Sequence, residues 1–203
     1  MTAALRRTVA RRASNQHGST VVEMAVISVF IVTLIAGTYD YGQAWRSGLV
    51  VNEATRTAAR VGSAQGPLRA ADYNALSGAK SALMSSGKLT GVVRVVVFRS
   101  TAANGKMPAV CKTGSSSDCQ VISGADFRTG WETQSVNAAT TSAGCLVVAT
   151  VKNWCPTTRI DDQATAEYYG VWIQLQHPFE FPLLGSGQNV ERTSTMRIEP
   201  KVQ

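Results

Sequence analysis

The strongest pattern along the chain is an uncharged apolar run, Met24 to Tyr39, 16 residues bounded by Glu23 and Asp40. Val21 and Val22 extend it on one side, and Tyr41, Ala44 and Trp45 on the other, toward the roughly 20 residues that a helix needs to cross a bilayer. Helical periodicity does not stop there. Val50, Val51, Ala54, Ala58 and Val61 recur at three- and four-residue spacing, with Glu53, Arg56 and Arg60 on other faces. The stretch Gly62 to Pro67 predicts a break. A second helix is expected from Asp72 as N-cap, with Ala75, Leu76, Ala79, Ala82 and Leu83 as its apolar stripe and Gly87 just beyond its C-cap.

Strand signals come later. Val92 to Phe98 and Cys145 to Val151 are rich in β-branched residues, and Tyr169 to Gln176 sets Val171, Ile173 and Leu175 on one face with Trp172 opposed. A last strand is expected from about Arg192 to Ile198. Thr101 to Gly144, rich in Gly, Ser, Thr and Asn, reads as a long loop, a length that is uncommon unless it is functional or stapled. Pro178 to Leu184 is apolar but carries two prolines, so it cannot be a central strand; it reads either as a docking surface or as closure of the core by Phe179, Phe181 and Leu184. Helix first and strands afterwards make the expected fold class α+β, an antiparallel sheet packed on the outer half of the long helix with a short second helix.

With 203 residues, the chain has room for one modest folded domain beside a membrane segment. The formal net charge of +7 suggests nucleic acid until its location is considered. Arg6, Arg7, Arg11 and Arg12 all precede Gly18, no acid accompanies them, and removing these four from +7 leaves +3 for the remainder. No nucleic-acid partner is expected. The arginines mark their side of the apolar run as cytoplasmic, and Tyr39, Tyr41 and Trp45 fall where interfacial aromatics sit, so everything after about Trp45 is expected outside. Cys111, Cys119, Cys145 and Cys155 all lie in that outer portion. Four cysteines allow three pairings; the near-neighbour pattern, Cys111 with Cys119 and Cys145 with Cys155, is the expected one. There is no CxxC, and the only histidines are His17 and His177, so no metal site is expected.

An arginine-rich start before an apolar stretch also describes a secretory signal peptide. Glu23 argues against it, because an acid at a helix centre in the membrane costs about 2.5–3.5 kcal/mol and an ordinary signal carries none. The uninterrupted helical pattern after the run argues the same way. A plain single-pass anchor, with Glu23 reaching the headgroups, is the other reading. It leaves unexplained the string His17-Gly18-Ser19-Thr20-Val21-Val22-Glu23, which resembles a class III, prepilin-type signal: a basic leader, a glycine at the cut, a small polar new N-terminus and a glutamate at position five of the mature chain.

The resemblance extends to TadE-like minor pilins, or pseudopilins, of tight-adherence (Flp/Tad) pilus systems. It covers Gly18 to about Ala64, through the glycine, the Val22-Glu23 pair, the apolar helix, Tyr41-Gly42, Asn52 and Ala58-Ala59-Arg60, and more weakly Tyr168 to Pro200. Met24 stands where major pilins of these systems carry tyrosine, which together with the length implies a minor subunit. The resemblance implies a leader 1–18 cut by a prepilin peptidase, an N-terminal helix 19–64 that spans the membrane to about residue 45, and an extracytoplasmic α+β domain 65–203. It implies a localisation in the inner membrane, with possible passage into a surface pilus, and as partners membrane lipid, other pilin subunits and inner-membrane assembly proteins. Glycine before the scissile bond and serine after it leave that bond unhindered. Glu23 is then implied to meet the ammonium group of a neighbouring subunit, or to favour its own helix N-terminus.

His177 has no triad-like partners in sequence, Asp161 and Asp162 are adjacent and read as a turn or solvated surface, and there is no phosphate-binding glycine loop, dinucleotide fingerprint or HExxH helix. No enzyme activity and no cofactor are expected. The main alternative is a membrane-anchored extracytoplasmic binding domain; a secreted disulfide-bonded hydrolase is the more distant one.

Overall fold

The computed structural model describes residues 17–100, 105–113, 117–181 and 185–200. Arg6, Arg7, Arg11 and Arg12, and Leu184 of the proline-interrupted segment, lie outside the described residues. The chain divides into two units, Met1–Tyr39 and Asp40–Gln203. The long helix α1 (His17–Gln65) runs through both.

In the second unit, small side chains set how closely the layers approach. From Asp40 onward α1 buries Ala44, Ser47, Val51, Ala54, Ala58 and Ala59 at three- and four-residue spacing. Helix α2 (Ala71–Ser85) buries Ala75, Leu76, Ala79 and Leu83 into the same core. Both pack on an antiparallel sheet of order β3-β2-β1-β4-β5, formed by β1 (Val92–Ser100), β2 (Cys119–Ser123), β3 (Val151–Lys152), β4 (Tyr168–Pro178) and β5 (Gly187–Arg197). The fold is α+β.

Alternation along the strands splits the apolar residues between two cores. Val95, Val97, Tyr169, Val171, Ile173 and Leu175 face the helices. Val96, Phe98, Val121 and Trp172 face the other way, onto Cys111, Cys119 and Met107. A strand buried on both faces loses the polar alternation of a surface strand, which is why β1 reads Val-Val-Arg-Val-Val-Val-Phe. Two glycines are there for aromatic rings: Gly170 lies opposite Phe98, whose ring fills the space that a Cβ would take, and Gly62 does the same for the ring of Tyr169.

The helix and strand expectations hold with informative exceptions. Gly62 does not break α1; the helix continues to Gln65 and ends before Gly66, at φ +53°, and Pro67. Asp72 is not the N-cap of α2. Ala70 occupies that position without a side-chain cap bond, and Asp72 points into the core. Gly87 does follow the C-cap, at φ +69°, with its N–H donating to Met84 O at 3.0 Å.

Cys145 to Val151 is not a strand. It holds one isolated bridge, Thr140 with Leu146, and only Val151–Lys152 pairs with β2. Its β-branched composition is overridden by anchors: Leu146 N–H donates to Gln120 Oε1 at 2.6 Å, Thr150 N–H donates to Val121 O at 2.8 Å, and Cys145 is bonded to Cys155. The strand that sequence reasoning missed is β2, inside the stretch expected to be loop. The described parts of that stretch also hold three short helices, α3 (Ala109–Thr113), α4 (Gly124–Arg128) and α5 (Val136–Ala139).

Asp72 organises the centre of the unit. Its carboxylate takes Arg159 Nη2 at 2.8 Å on both oxygens, Gln120 Nε2 at 2.8 Å and the Tyr169 hydroxyl at 3.0 Å, all of them buried. The Arg159 guanidinium lies 4.2 Å from the ring centre of Trp154 and 4.8 Å from that of Tyr169. Its Nε and Nη1 have no hydrogen-bond acceptor among the described residues, and these aromatic faces are what they meet instead. Burial first, and then the negative charge of Asp72, hold the Tyr169 phenol well above its ordinary pKa, against the opposing effect of Arg159; it stays a neutral donor.

Removing one partner from a buried ion pair leaves the other charge uncompensated. Asp72→Ala is therefore expected to destabilise the unit by about 3–5 kcal/mol. Glu191→Gln, at the exposed Lys112–Glu191 pair, is expected to cost at most about 1 kcal/mol. Urea unfolding followed by circular dichroism measures both, and similar midpoints for the two variants would contradict this ranking.

Candidate functional site

The first unit presents its apolar side chains outward. Val21, Val26 and Val29 are each 67% exposed, and Phe30, Leu34 and Ile35 are similarly open. The hydroxyls in this stretch are satisfied within the helix. Ser28 Oγ donates to Ala25 O at 2.8 Å, Thr33 Oγ1 to Val29 O at 2.8 Å, and Thr38 Oγ1 to Leu34 O at 2.6 Å. A surface bathed by lipid requires this of its polar groups. Among the described residues, this is the one helix long and apolar enough to cross a membrane. Gly18 and Ser19 lie in its first turn, and Glu23, exposed, is the one charged residue of Thr20 to Tyr39.

Asp40, the first charged residue after the apolar run, is completely buried. Its Oδ1 accepts the backbone N–H of Glu180 at 3.0 Å, and its Oδ2 that of Phe181 at 3.2 Å. Two further contacts follow along the same helix: the ring of Tyr41 lies 5.6 Å from that of Phe179, and Ser47 Oγ lies 3.3 Å from His177 Nδ1. The end of β4 and the residues just after it are thus held along α1 from Asp40 to Ser47. Sequence reasoning took Asp40 only as the end of the apolar run. The available signal was an acid directly adjoining a hydrophobic stretch, in a chain whose proline-interrupted segment has backbone donors that no sheet can use.

The expected chemical residues separate into structural roles. All four cysteines are paired, Cys111 with Cys119 and Cys145 with Cys155. The first pair staples α3 to β2 beneath Trp172. Asp162 caps a turn through the N–H groups of Ala164 and Thr165, both at 2.9 Å. The hydrogen bonds from Thr165, its hydroxyl first, hold its carboxyl below the ordinary value. No cluster of three or more His, Cys, Asp or Glu that could hold a metal occurs among the described residues.

Ser47 and His177 form a pair that chain order does not reveal. The serine is buried, and its hydroxyl, which donates to Gln43 O at 3.0 Å, also faces His177 Nδ1. That leaves His177 Nε2 buried with no hydrogen-bond partner among the described residues. Burial first, and then the positive charge of Lys88, lower the His177 pKa below 6.5, against the negative charges of Asp40 and Glu180.

Because the unfolded chain binds this proton more readily, His177 contributes stability that is present above pH 6.5 and is lost as pH falls toward its lower folded pKa. The wild-type thermal midpoint should drop between pH 7.5 and 5.5 by more than that of His177→Gln. Parallel pH profiles for the two proteins, measured by circular dichroism in detergent micelles, would contradict the assignment.

Residues 18–60 match the family model described as TadE-like protein. No curated protein and no solved structure matches the chain. The matched segment starts at Gly18, contains Glu23 and the whole apolar run, and ends at Arg60 within the buried part of α1. Over this N-terminal helix the chain is similar to the TadE-like family.

Proposed function

We propose that this protein is a minor, pilin-like subunit of a tight-adherence pilus system and not an enzyme. It is made as a precursor, cut between Gly18 and Ser19 by a prepilin peptidase, and held in the inner membrane by the helix up to about residue 45, with the folded unit outside. Its partners are other pilin subunits, inner-membrane assembly proteins and lipid. The observation that carries this reading is the TadE-like match over residues 18–60, on a helix whose apolar side chains point outward.

The chemistry follows from one charge in an apolar rod. After cleavage, the ammonium group of Ser19 opens the helix and the Glu23 carboxylate stands one turn further along. Drawing either charge into an apolar bundle is unfavourable, and pairing the carboxylate of one subunit with the ammonium of the next offsets much of that cost. Acid and amine then fix the axial register between neighbouring helices.

Gly18→Asp should leave an uncleaved precursor in the membrane fraction, visible as a slower band on a gel; unchanged processing would exclude the cut. N-terminal sequencing of the membrane-bound wild type should begin at Ser19, whereas Met1 or Thr2 would indicate a plain anchored binding domain. Glu23→Ala should still insert and be cleaved but be missing from sheared filaments, and normal filament incorporation would refute the pairing role.

A further inference from the structure

The apolar surface does not end where the first unit ends. In the second unit Tyr41 is 57%, Trp45 69% and Phe181 42% exposed. The two residues on α1 are one turn apart, and the Phe181 backbone is tied to the same helix at Asp40, whose carboxylate accepts its N–H. Phe179 is half-buried, with its ring 5.6 Å from that of Tyr41. Exposed aromatics thus occur on α1 just after the apolar run, at Tyr41 and Trp45, and on the segment that Asp40 binds to that helix.

The charges nearby are arranged to suit a lipid boundary. A free carboxylate at Asp40 would stand beside the hydrocarbon, yet it is enclosed, and its two oxygens are satisfied by peptide donors. Arg46 is exposed next to Trp45, and the exposed Arg192 has its guanidinium beside Gly48, so cations sit just beyond the aromatics, where lipid phosphates would be. Glu180 is exposed and keeps the turn at headgroup level, since neither its carboxylate nor the peptide groups of the turn tolerate hydrocarbon. Tyr and Trp prefer this interface because one end of each ring is apolar and the other polar.

We infer that the residues directly after β4, Phe179 to Phe181, are a second membrane contact of the folded unit, in which Phe181, clamped by Asp40, enters the lipid interface together with Tyr41 and Trp45. The inference rests on the reading of the apolar run as a membrane span. Such a contact restrains the folded unit against the bilayer at a second point besides the helix, as a subunit waiting in the membrane requires.

All native cysteines are paired, so an introduced cysteine gives one reactive thiol. The full chain is reconstituted in vesicles of phosphatidylethanolamine and phosphatidylglycerol and carries a nitroxide at Ile31→Cys, Phe181→Cys or Gln163→Cys. Collisions with dissolved oxygen and with a water-soluble nickel chelate are then compared. The expected result is loss of chelate collisions at 31 and at 181, shallower at 181, with full chelate access at 163. Lipid at 31 but water at 181 overturns the inference and leaves the span intact; water at 31 overturns the span and the inference with it. Adding Asp40→Ala to Phe181→Cys should return the 181 label to water, while Asp40→Ala added to Ile31→Cys leaves that label in lipid. A 181 label that stays in lipid without Asp40 overturns the clamp.

Discussion

A carboxylate enclosed in a protein persists only if its lone pairs are used, and the fold of the second unit depends on how Asp72 meets that demand. One side chain on α2 receives Arg159 from the turn beyond the Cys145–Cys155 bond, Tyr169 from β4 and Gln120 from β2. Gln120 passes the restraint on, because its other end accepts the N–H of Leu146 and fixes the segment that the disulfide closes. Apolar packing alone would bring helices and sheet together without fixing their register. The directional bonds around Asp72 select one arrangement, and the rings of Trp154 and Tyr169, packed together against the guanidinium, help keep water from competing for it.

Asp40 solves the same problem with different means. It has no cation against it among the bonds that enclose it; two peptide N–H groups do that work, and these come from a segment that proline keeps out of the sheet. The two acids divide the labour. Asp72 fixes layers within the core, whereas Asp40 fixes a surface turn to the helix that carries the chain out of its apolar run. Neither role is visible in spacing. Asp72 reads as an N-cap because helix starts favour acids, and Asp40 reads as a boundary because hydrophobic runs end at charges, so in both cases a valid local rule was outweighed by a partner 87 or more residues away.

That contrast explains what was legible. The outer part of the long helix, α2 and β4 are readable because burial on one face imposes a period of 3.6 or 2 on the residues themselves, whereas β1 is readable from its run of β-branched residues and the first part of the helix from its apolar run. The stretch Cys145 to Val151 defeated the same logic: its valines satisfy strand propensity, but Leu146 and Ala149 are drawn into the core by bonds to β2. Strand β2 was missed for the converse reason, since Cys-Gln-Val-Ile-Ser is short and carries as its second residue a glutamine whose polarity is needed inside. In the N-terminal segment the residue types are legible through Gly18 and Glu23, because a glycine before a small polar residue and a lone acid before an apolar run are properties of the string. The geometry around Asp40, His177 and Phe181 is not, because it exists only once β4 has paired.

The composition of α1 changes where its surroundings do. Up to Tyr39 its bulky residues, Val, Ile, Leu and Phe, point outward and its hydroxyls fold back onto its own carbonyls. Beyond Asp40 the inward positions are mostly small, Ala, Ser and Gly beside Val51 and Thr55, and Gly62 admits the ring of Tyr169. A core helix that packs against a sheet gains from small inward residues and polar outward ones; a helix in lipid gains from the reverse. One continuous helix therefore carries two opposite amphipathic programmes, and the change must fall at a residue able to face both. Asp40 does so because its charge is enclosed: a bare carboxylate would draw water to the end of the apolar run, and an apolar residue would leave the N–H groups of Glu180 and Phe181 without acceptors.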